Sequence, residues 1–314
     1  MSILVSPTRR SFLAGAVGLC ASAFVTANPV AQAAKTRLIL LGTGGGPRPR
    51  KAASASAQAI VVNGALYVVD SGDGVARQIV SAGLSLGNLR HVFLTHHHSD
   101  HNADYGNLLL LGWTVGLGSR VDTWGPPPLV QMTKQFFDLN SFDINTRIAD
   151  EGRPPLIPLI HPHEITAGGM VMQDDNVKVT AALVDHPPIK HAFAYRFDTN
   201  DRSIVVSGDT AMSKDLIALA QGADVLVHEA LWVPAVDRIV AKIANAATLK
   251  KHIIDSHTSA EDCGRVAAAA GVKTLVLSHL VPPDDPAVTD EMWIAAARKH
   301  FRGEVIVGKD LMEI

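Results

Sequence analysis

The stretch Thr95-His96-His97-His98-Ser99-Asp100-His101 places four potential metal ligands within six positions. His96 and His98 are two residues apart, so in an extended loop their rings project to the same side and can share one metal ion. Asp100 and His101 follow directly and can reach a second metal ion nearby. Imidazole and carboxylate ligands without a thiolate are typical of zinc, or of a similar metal, in a hydrolytic site. The stretch therefore predicts a metal centre.

The residues before this loop form a candidate core strand. His91-Val92-Phe93-Leu94-Thr95 is apolar, β-branched and aromatic, which favours a buried strand. The histidines consequently follow the carboxyl end of a strand, where α/β folds place their chemistry. A surface loop that happens to be rich in histidine is the alternative, and the density of ligand-type residues after a core strand disfavours it.

Composition sets broad limits on the fold and on the partners. The chain has 314 residues, of which 47% are hydrophobic and 18% are charged, enough for one large core or two fused halves. The formal net charge is −2 and the sequence pI is about 6.7. No global electrostatic field would therefore recruit nucleic acid or acidic membranes.

The first 33 residues have the features of an export signal. Arg9 and Arg10 precede an apolar run from residue 12 to residue 25, and Ala31-Gln32-Ala33 offers small residues for cleavage. These features predict a twin-arginine-type signal over residues 1–33, a periplasmic location and a single hydrolase domain over residues 34–314. The run is too short to predict stable membrane insertion after cleavage. An uncleaved amphipathic tail is the alternative.

The order of elements predicts an α/β fold with hairpins first and alternation later. Asn63-Gly64 lies between two β-type segments and predicts a hairpin, whereas strands and helices alternate after residue 200. We expect two β-rich halves with helices outside, an αβ/βα sandwich of four layers; a mostly parallel doubly wound sheet is the competitor. Residues 113–168 are expected to be irregular apart from a helix near residues 129–137, and residues 235–249 to form one helix. The turn Gly42 to Gly46 lacks the ending of a phosphate loop, so a tight turn facing the site is favoured.

Further ligand candidates follow other predicted strands. His186, Asp209 and His279 each stand directly after a β-type segment. Each residue alone is a weak signal, because a histidine at a strand end is more often a hydrogen-bonded polar residue. Together with the His96 loop they supply one more histidine for each metal ion and one aspartate that can bridge them.

These motifs resemble the metallo-β-lactamase superfamily, whose pattern is His96-x-His98-x-Asp100-His101 followed by His186, Asp209 and His279. Further segments are similar to the ribonuclease Z and arylsulfatase-like branch: Leu41-Gly42-Thr43-Gly44, Val69-Asp70-Ser71-Gly72, His228-Glu229-Ala230, His257-Thr258-Ser259-Ala260 and the ending Val307-Gly308-Lys309-Asp310-Leu311-Met312-Glu313-Ile314. The resemblance covers nearly the whole chain after the predicted signal.

The resemblance implies two Zn²⁺ ions per chain. One ion would be held by His96, His98 and His186, the other by Asp100, His101 and His279, and Asp209 would bridge them. Such a pair of cations lowers the pKa of a shared water from ~15.7 toward ~7, and the resulting hydroxide attacks the substrate.

The resemblance also implies the residues that assist the reaction. Glu229 and His257 match a pair that helps proton transfer to the leaving group, so Asp100, Glu229 and His257 are the expected catalytic residues. The alternative is that His257 caps the following helix and that Glu229 fills a surface pair. Trp113, His191 and Trp232 are candidates for the wall of the substrate pocket.

The substrate expected from the sequence is a small ester-like molecule: an aryl sulfate, a phosphodiester or a lactone. Ribonuclease Z grips tRNA with a basic arm between its second and third metal motifs, and this interval here is rich in proline with few clustered Lys or Arg. Binding of a phosphate backbone needs several such cations, and export would remove the protein from tRNA precursors. No nucleic acid partner is therefore expected, and an RNA 3′ endonuclease is disfavoured. A hydrolytic dehalogenase of a chlorinated aromatic and a non-catalytic metal-binding scaffold remain as alternatives. The apolar insert is compatible with a homodimer.

Overall fold

The computed structural model describes residues 35–244 and 246–314. The predicted signal over residues 1–33 lies outside the described residues, so the signal and the domain boundary stay predictions.

The described residues form thirteen strands and ten α-helices. The strands are β1 (Arg37–Gly42), β2 (Ala57–Val62), β3 (Ala65–Val69), β4 (Leu89–Phe93), β5 (Val121–Gly125), β6 (Ile160–Glu164), β7 (Gly169–Gln173), β8 (Val177–Leu183), β9 (Phe193–Thr199), β10 (Ser203–Val206), β11 (Val225–Leu231), β12 (Thr274–Val281) and β13 (Glu304–Val307). The helices are α1 (Val75–Ser81), α2 (Ser99–Asn102), α3 (Tyr105–Thr114), α4 (Leu129–Leu139), α5 (Ser141–Glu151), α6 (Lys214–Leu219), α7 (Val236–Val240), α8 (Leu249–Ser256), α9 (Ala260–Ala270) and α10 (Asp290–Ala297). Within these ranges no helix combines the length and the apolar character that a membrane crossing requires.

Local sequence explains several element ends. Asn63 and Gly64 both have positive φ, 50° and 82°, as a tight two-residue hairpin turn requires, and β2 and β3 pair antiparallel around them. The Ser259 hydroxyl accepts a hydrogen bond from the Asp262 amide at the start of α9, and Gly271 ends that helix in the left-handed conformation.

The strands form two mixed sheets. The first sheet has the order β1-β2-β3-β4-β5-β6 and the second β13-β12-β11-β10-β9-β8-β7. In the first sheet β3 to β6 are parallel, and in the second β10 to β13 are parallel. The remaining neighbours in each sheet are antiparallel. The sandwich predicted from the sequence is therefore confirmed, and the doubly wound sheet is wrong.

Buried side chains divide the molecule into four layers. Leu38 and Leu40 of β1 join a core between the two sheets, whereas Ile39 and Leu41 face the helices outside the first sheet. A matching core lies between the second sheet and α6, α9 and α10. Because β1 is buried on both faces, it reads in the sequence as a continuous apolar run.

The structure corrects two expectations about secondary structure. Residues 113–168 are not irregular, because they contain β5, α4, α5 and β6. Pro162 hid β6, and it is tolerated because β6 is an edge strand. The single helix expected over residues 235–249 is also wrong, since α7 ends at Val240 and α8 begins at Leu249.

We predict that Phe93→Ala destabilises the fold strongly. Phe93 is fully buried between the sheets, and its ring lies 5.2 Å from Phe197 in an edge-to-face arrangement. Removing such a ring lowers the free energy of unfolding by about 3–5 kcal/mol. Phe142→Ala is the matched control because Phe142 is 84% exposed, and its effect should stay within about 0.5 kcal/mol. Urea unfolding measures both, and equal effects would contradict this account of the core.

Candidate metal centre

The predicted ligands converge at one edge of the sandwich. His96, His98, Asp100 and His101 follow β4 of the first sheet, whereas His186, Asp209 and His279 come from β8, β10 and β12 of the second. They form two clusters that share Asp209, and within each cluster the potential ligand atoms lie within 4.8 Å of one another. The first cluster is His96, His98, His186 and Asp209, and the second is Asp100, His101, Asp209 and His279.

Three imidazoles meet in the first cluster. The Nδ1 atom of His98 lies 3.0 Å from Nε2 of His96 and 3.1 Å from Nε2 of His186. His186 donates its Nδ1 proton to the Ser256 carbonyl oxygen at 2.9 Å, which leaves Nε2 with a free lone pair. Three ring nitrogens directed at one point match the ligand set of a cation.

The second cluster combines two imidazoles with two carboxylates. His279 Nε2 lies 3.2 Å from an Asp100 oxygen and 3.3 Å from Oδ1 of Asp209, and His101 Nε2 also lies 3.3 Å from that Oδ1. The other oxygen of Asp209 faces His96 Nε2 at 3.9 Å. Asp209 therefore faces both clusters, as a bridging ligand must.

Asp70 holds the histidines of both clusters. It accepts the Nδ1 proton of His101 at 2.7 Å and the hydroxyl proton of Thr95 at 3.0 Å. The Thr95 oxygen lies 3.0 Å from Nδ1 of His96 and accepts its proton. Both rings are thereby fixed with Nε2 directed at the clusters.

Backbone irregularities aim the ligands of the second cluster. The pairing of β11 with β12 shifts register around His279, and His279 has φ 43°. Such a bulge redirects a side chain near a functional site. The Gly46 amide donates to the Asp100 carboxylate at 2.7 Å, and a Cβ on Gly45 would lie 2.7 Å from His279 Nδ1. The glycine-rich turn thus faces the site, as the sequence indicated.

Burial and neighbouring charges set the protonation of the ligands. Burial and the His186 ring lower the pKa of His98 to about 4, and burial and His101 hold the pKa of His96 well below its usual range. Burial would raise the pKa of Asp209, but His101 and His279 hold it well below its usual value. The first cluster therefore offers neutral imidazoles and an ionised carboxylate, the forms that bind metals.

Glu229 and His257 form a second functional pair beside the clusters. His257 Nδ1 donates to Oε1 of Glu229 at 3.2 Å, and the Thr258 amide donates to the same oxygen at 2.9 Å. Burial lowers the pKa of His257, but Glu229 and Asp209 outweigh it and raise this pKa to about 9. Glu229 is buried, so it does not fill a surface pair.

A cavity of about 400 Å³ opens over the clusters. Its floor includes His98, Asp100, Asp209, His257 and His279. The cavity is also lined by the glycine-rich turn with Arg48 and Arg50 and by an aliphatic wall that comes from α7, α8 and the segment between them. The members of that wall are Ile239, Ile243, Ala246, Leu249 and Ile253. We call α7, α8 and this segment the cap.

None of the three residues expected in the pocket wall lines this cavity. Trp113 is buried in the outer core and donates its indole proton to the Pro154 carbonyl. Trp232 packs against Trp293 at 5.5 Å, because the chain turns toward α10 after β11. His191 stands just before β9 and is not among the residues that line the cavity. The expected pocket role of these three residues is corrected accordingly.

Several residues of the site were missed from the sequence. In the sequence Asp70 stands out only as part of the Val69-Asp70-Ser71-Gly72 motif, although an acidic residue at the end of a core strand is a usable signal. His252 of α8 lines the cavity and lies 5.9 Å from the His98 ring. Nothing in its local sequence distinguishes it from an exposed histidine on a helix.

The donor set fits metal ions. His101 Nε2 and Asp209 Oδ1 are buried and have no hydrogen-bond partner among the described residues, a costly arrangement unless a cation lies between them. All the ligand atoms are nitrogen or oxygen, which suits zinc and related metals.

Comparison with protein families gives the class of protein. A family described as "Beta-lactamase superfamily domain" matches residues 67–280, a range that includes all seven residues of the two clusters. The chain belongs to the metallo-β-lactamase superfamily, and it is a metal-dependent hydrolase.

Individual relatives narrow the comparison. The chain is 32% identical over 280 residues to a protein named ribonuclease Z from Mycobacterium bovis, and the match covers 88% of this chain and 97% of that protein. The structure of human tRNase Z, short form, has a TM-score of 0.65 at 20% identity and covers 88% of this chain and 98% of that one. Zn²⁺-bound PqqB from Methylobacterium extorquens has a TM-score of 0.66 at 14% identity, covering 88% of this chain and 99% of that one. These two structures support the fold.

The relatives overturn two expectations drawn from the sequence. The preference for a small ester-like substrate is wrong, and so is the expectation of no nucleic acid partner, because the curated relatives are named ribonuclease Z and match along nearly their whole length. Both expectations rested on the few clustered basic residues between the second and third metal motifs and on the predicted export from the cytoplasm. Neither point defines the substrate when the similarity extends over the rest of the chain.

We predict that Asp70→Asn weakens metal binding. The amide is a much poorer acceptor for the His101 and Thr95 protons, so His101 loses its fixed orientation. Loss of such a supporting carboxylate lowers metal affinity by about 10- to 100-fold. Metal competition with a chelator measures the change.

Asp122→Asn is the matched control. Asp122 accepts a proton from His163 at 2.7 Å, the same distance as in the Asp70–His101 pair, but it lies outside both clusters. Its metal affinity should stay at the wild-type value. Equal affinities of the two variants would contradict the role of Asp70.

Proposed function

We propose that the protein is a zinc-dependent endonuclease that cleaves a phosphodiester bond of RNA, in the ribonuclease Z branch of its superfamily. The observation that carries this proposal is the 32% identity to ribonuclease Z over 97% of that relative, combined with two metal-binding clusters that share Asp209. The proposal replaces the small-molecule substrate expected from the sequence.

The two clusters suit hydrolysis of a phosphodiester. Zinc ions bound there would lower the pKa of a shared water and stabilise negative charge on the phosphate oxygens. The chain's part is to keep its ligand nitrogens unprotonated and directed at one point, through Asp70 for His96 and His101 and through the Ser256 carbonyl for His186.

The Glu229–His257 pair suits proton transfer to the leaving oxygen. Glu229 binds the Nδ1 side of His257, and His257 lines the cavity, so Nε2 is the atom available to a substrate. The Thr258 amide holds the carboxylate of Glu229 in place. Such a positioned acid typically contributes about 10²- to 10⁴-fold to the rate.

RNA would be held at the mouth of the cavity rather than by the insert between the metal motifs. Four of the five basic residues in residues 102–185 are in ion pairs with neighbouring acids: Arg120, Lys134, Arg147 and Arg153. At the mouth, Arg50 donates to the carbonyls of Gly45, Gly46 and Arg48 and so holds the turn. Arg48 lines the cavity and has no side-chain hydrogen bond or ion pair to the described residues, which leaves it able to bind a phosphate.

We predict that the zinc-loaded protein cleaves a tRNA precursor with a 3′ extension and that His257→Ala slows cleavage by about 10²- to 10⁴-fold. The variant should retain its zinc, because His257 belongs to neither ligand cluster. Single-turnover cleavage and metal analysis measure the two quantities.

His161→Ala is the control for this variant. His161 donates to the Pro158 carbonyl far along the chain from the site, so its cleavage rate should equal that of the wild type. A fully zinc-loaded wild-type protein that leaves the RNA intact would contradict the proposed function.

We also propose that the protein is exported, on the basis of Arg9-Arg10, the apolar run and the Ala31-Gln32-Ala33 segment. We predict that expression of the full chain yields a periplasmic product that begins at Ala34, and that Arg9→Lys combined with Arg10→Lys keeps it in the cytoplasm. Fractionation and amino-terminal sequencing test this prediction. A wild-type chain that stays in the cytoplasm with residues 1–33 attached would contradict it.

A further inference from the structure

A second, much smaller cavity of about 10 Å³ lies between the two sheets next to the second cluster. We call it the inner chamber. The first sheet contributes Gln58 of β2, and the second contributes Glu229 of β11 with Ser278 and His279 of β12. All four side chains are at least 96% buried.

Five buried polar atoms of residues that line the inner chamber have no partner among the described residues, and one of them, His101 Nε2, faces the second cluster. The other four are Oε1 of Gln58, Oε2 of Glu229, Oγ of Ser278 and Nδ1 of His279. Buried polar atoms are almost always hydrogen-bonded, to protein or to an ordered water. Four such atoms around one small space therefore indicate a shared polar occupant.

We propose that one water molecule occupies the inner chamber and hydrogen-bonds to Gln58, Glu229, Ser278 and His279. A single water needs roughly 10–15 Å³ and two to four polar partners, and the chamber supplies both. The water donates its two protons to the oxygens of Gln58 and Glu229, and it accepts from the Ser278 hydroxyl and from His279 Nδ1–H. Each of these four atoms then has a hydrogen-bond partner.

Existing hydrogen bonds favour water over a metal ion at this place. Glu229, His257 and His279 each place one potential ligand atom within 4.8 Å of the others, but Oε1 of Glu229 already accepts from His257 and Thr258. His279 directs Nε2 at the second cluster, so Nδ1 is the nitrogen left to donate to a water. Oε2 of Glu229 is likewise left to accept from one.

The water gives Glu229 and Ser278 a role in positioning a metal ligand. With its proton held on Nδ1, His279 keeps a free lone pair on Nε2, which faces Asp100 and Asp209. Glu229 thereby positions His257 through one oxygen and His279 through the other. The inference concerns how the second cluster is held, and it does not depend on RNA being the substrate.

Ser278→Ala tests the proposal by the direction of its effect. With the water in place, the variant removes a donor to it, and zinc should transfer to a chelator about tenfold faster than from the wild type. Without the water, the variant removes only an unpartnered buried hydroxyl, and release should be unchanged or slower. Gln58→Leu removes the side-chain oxygen that accepts a proton from the water, and it should also speed zinc release. This second variant tests the proposal if Ser278→Ala does not fold.

Ser71→Ala is the matched control. The Ser71 hydroxyl is also buried and without a partner among the described residues, but Ser71 does not line the inner chamber, so zinc release should match the wild type. A crystal structure of the zinc-loaded protein should show a water within hydrogen-bond distance of the four atoms. An empty chamber, an anomalous zinc peak inside it, or unchanged release from both chamber variants would overturn the proposal.

Discussion

The metal centre depends on the carboxylate of Asp70. It lies at the end of β3, has φ 60°, and binds the amide and hydroxyl of Thr95 as well as His101. These bonds set the path of the chain where the His96 loop leaves β4. The rings of His96 and His101 then present Nε2 to the clusters, and every other ligand is arranged around those two atoms. An Asp adopts this left-handed conformation more readily than a bulky residue does, because its short side chain bonds to nearby backbone.

The site has two very different sides. Toward solvent, the cavity is lined both by the aliphatic wall of the cap and by the arginine-bearing turn, so a bound substrate would meet cations as well as apolar surface. Toward the interior, polar residues from both sheets surround the inner chamber. The same residue, Glu229, contacts the catalytic side through His257 and reaches the interior through its second oxygen. Glu229 is buried because the His228-Glu229-Ala230 motif lies on β11, a core strand.

The ligand motifs could be predicted from the sequence because each follows a strongly apolar strand, and such strands are the clearest local signal. The supporting residues could not. Gln58 looks like an ordinary polar residue in a hairpin strand, and only the packing of the second sheet against it creates the chamber. β6 could not be predicted because Pro162 contradicts strand propensity, a conflict that the edge position resolves. The end of α7 at Val240 could not be predicted either, since the alanine-rich sequence that follows favours a continuous helix. The substrate expected from the sequence was wrong because it was inferred from a missing segment and from the predicted export, and neither concerns the residues of the site.

The two sheets supply the ligands jointly: four come from the loop after β4 of the first sheet, and three come from the second. A bound metal ion therefore acts as a cross-link across the sandwich, and it binds the folded chain far better than the unfolded one. Folding and metal supply are then thermodynamically linked, with a gain of about 2.7 kcal/mol when the free metal concentration is 100 times Kd. The lifetime of this protein would follow the local availability of the metal, so that starvation for that metal removes the protein itself as well as its activity.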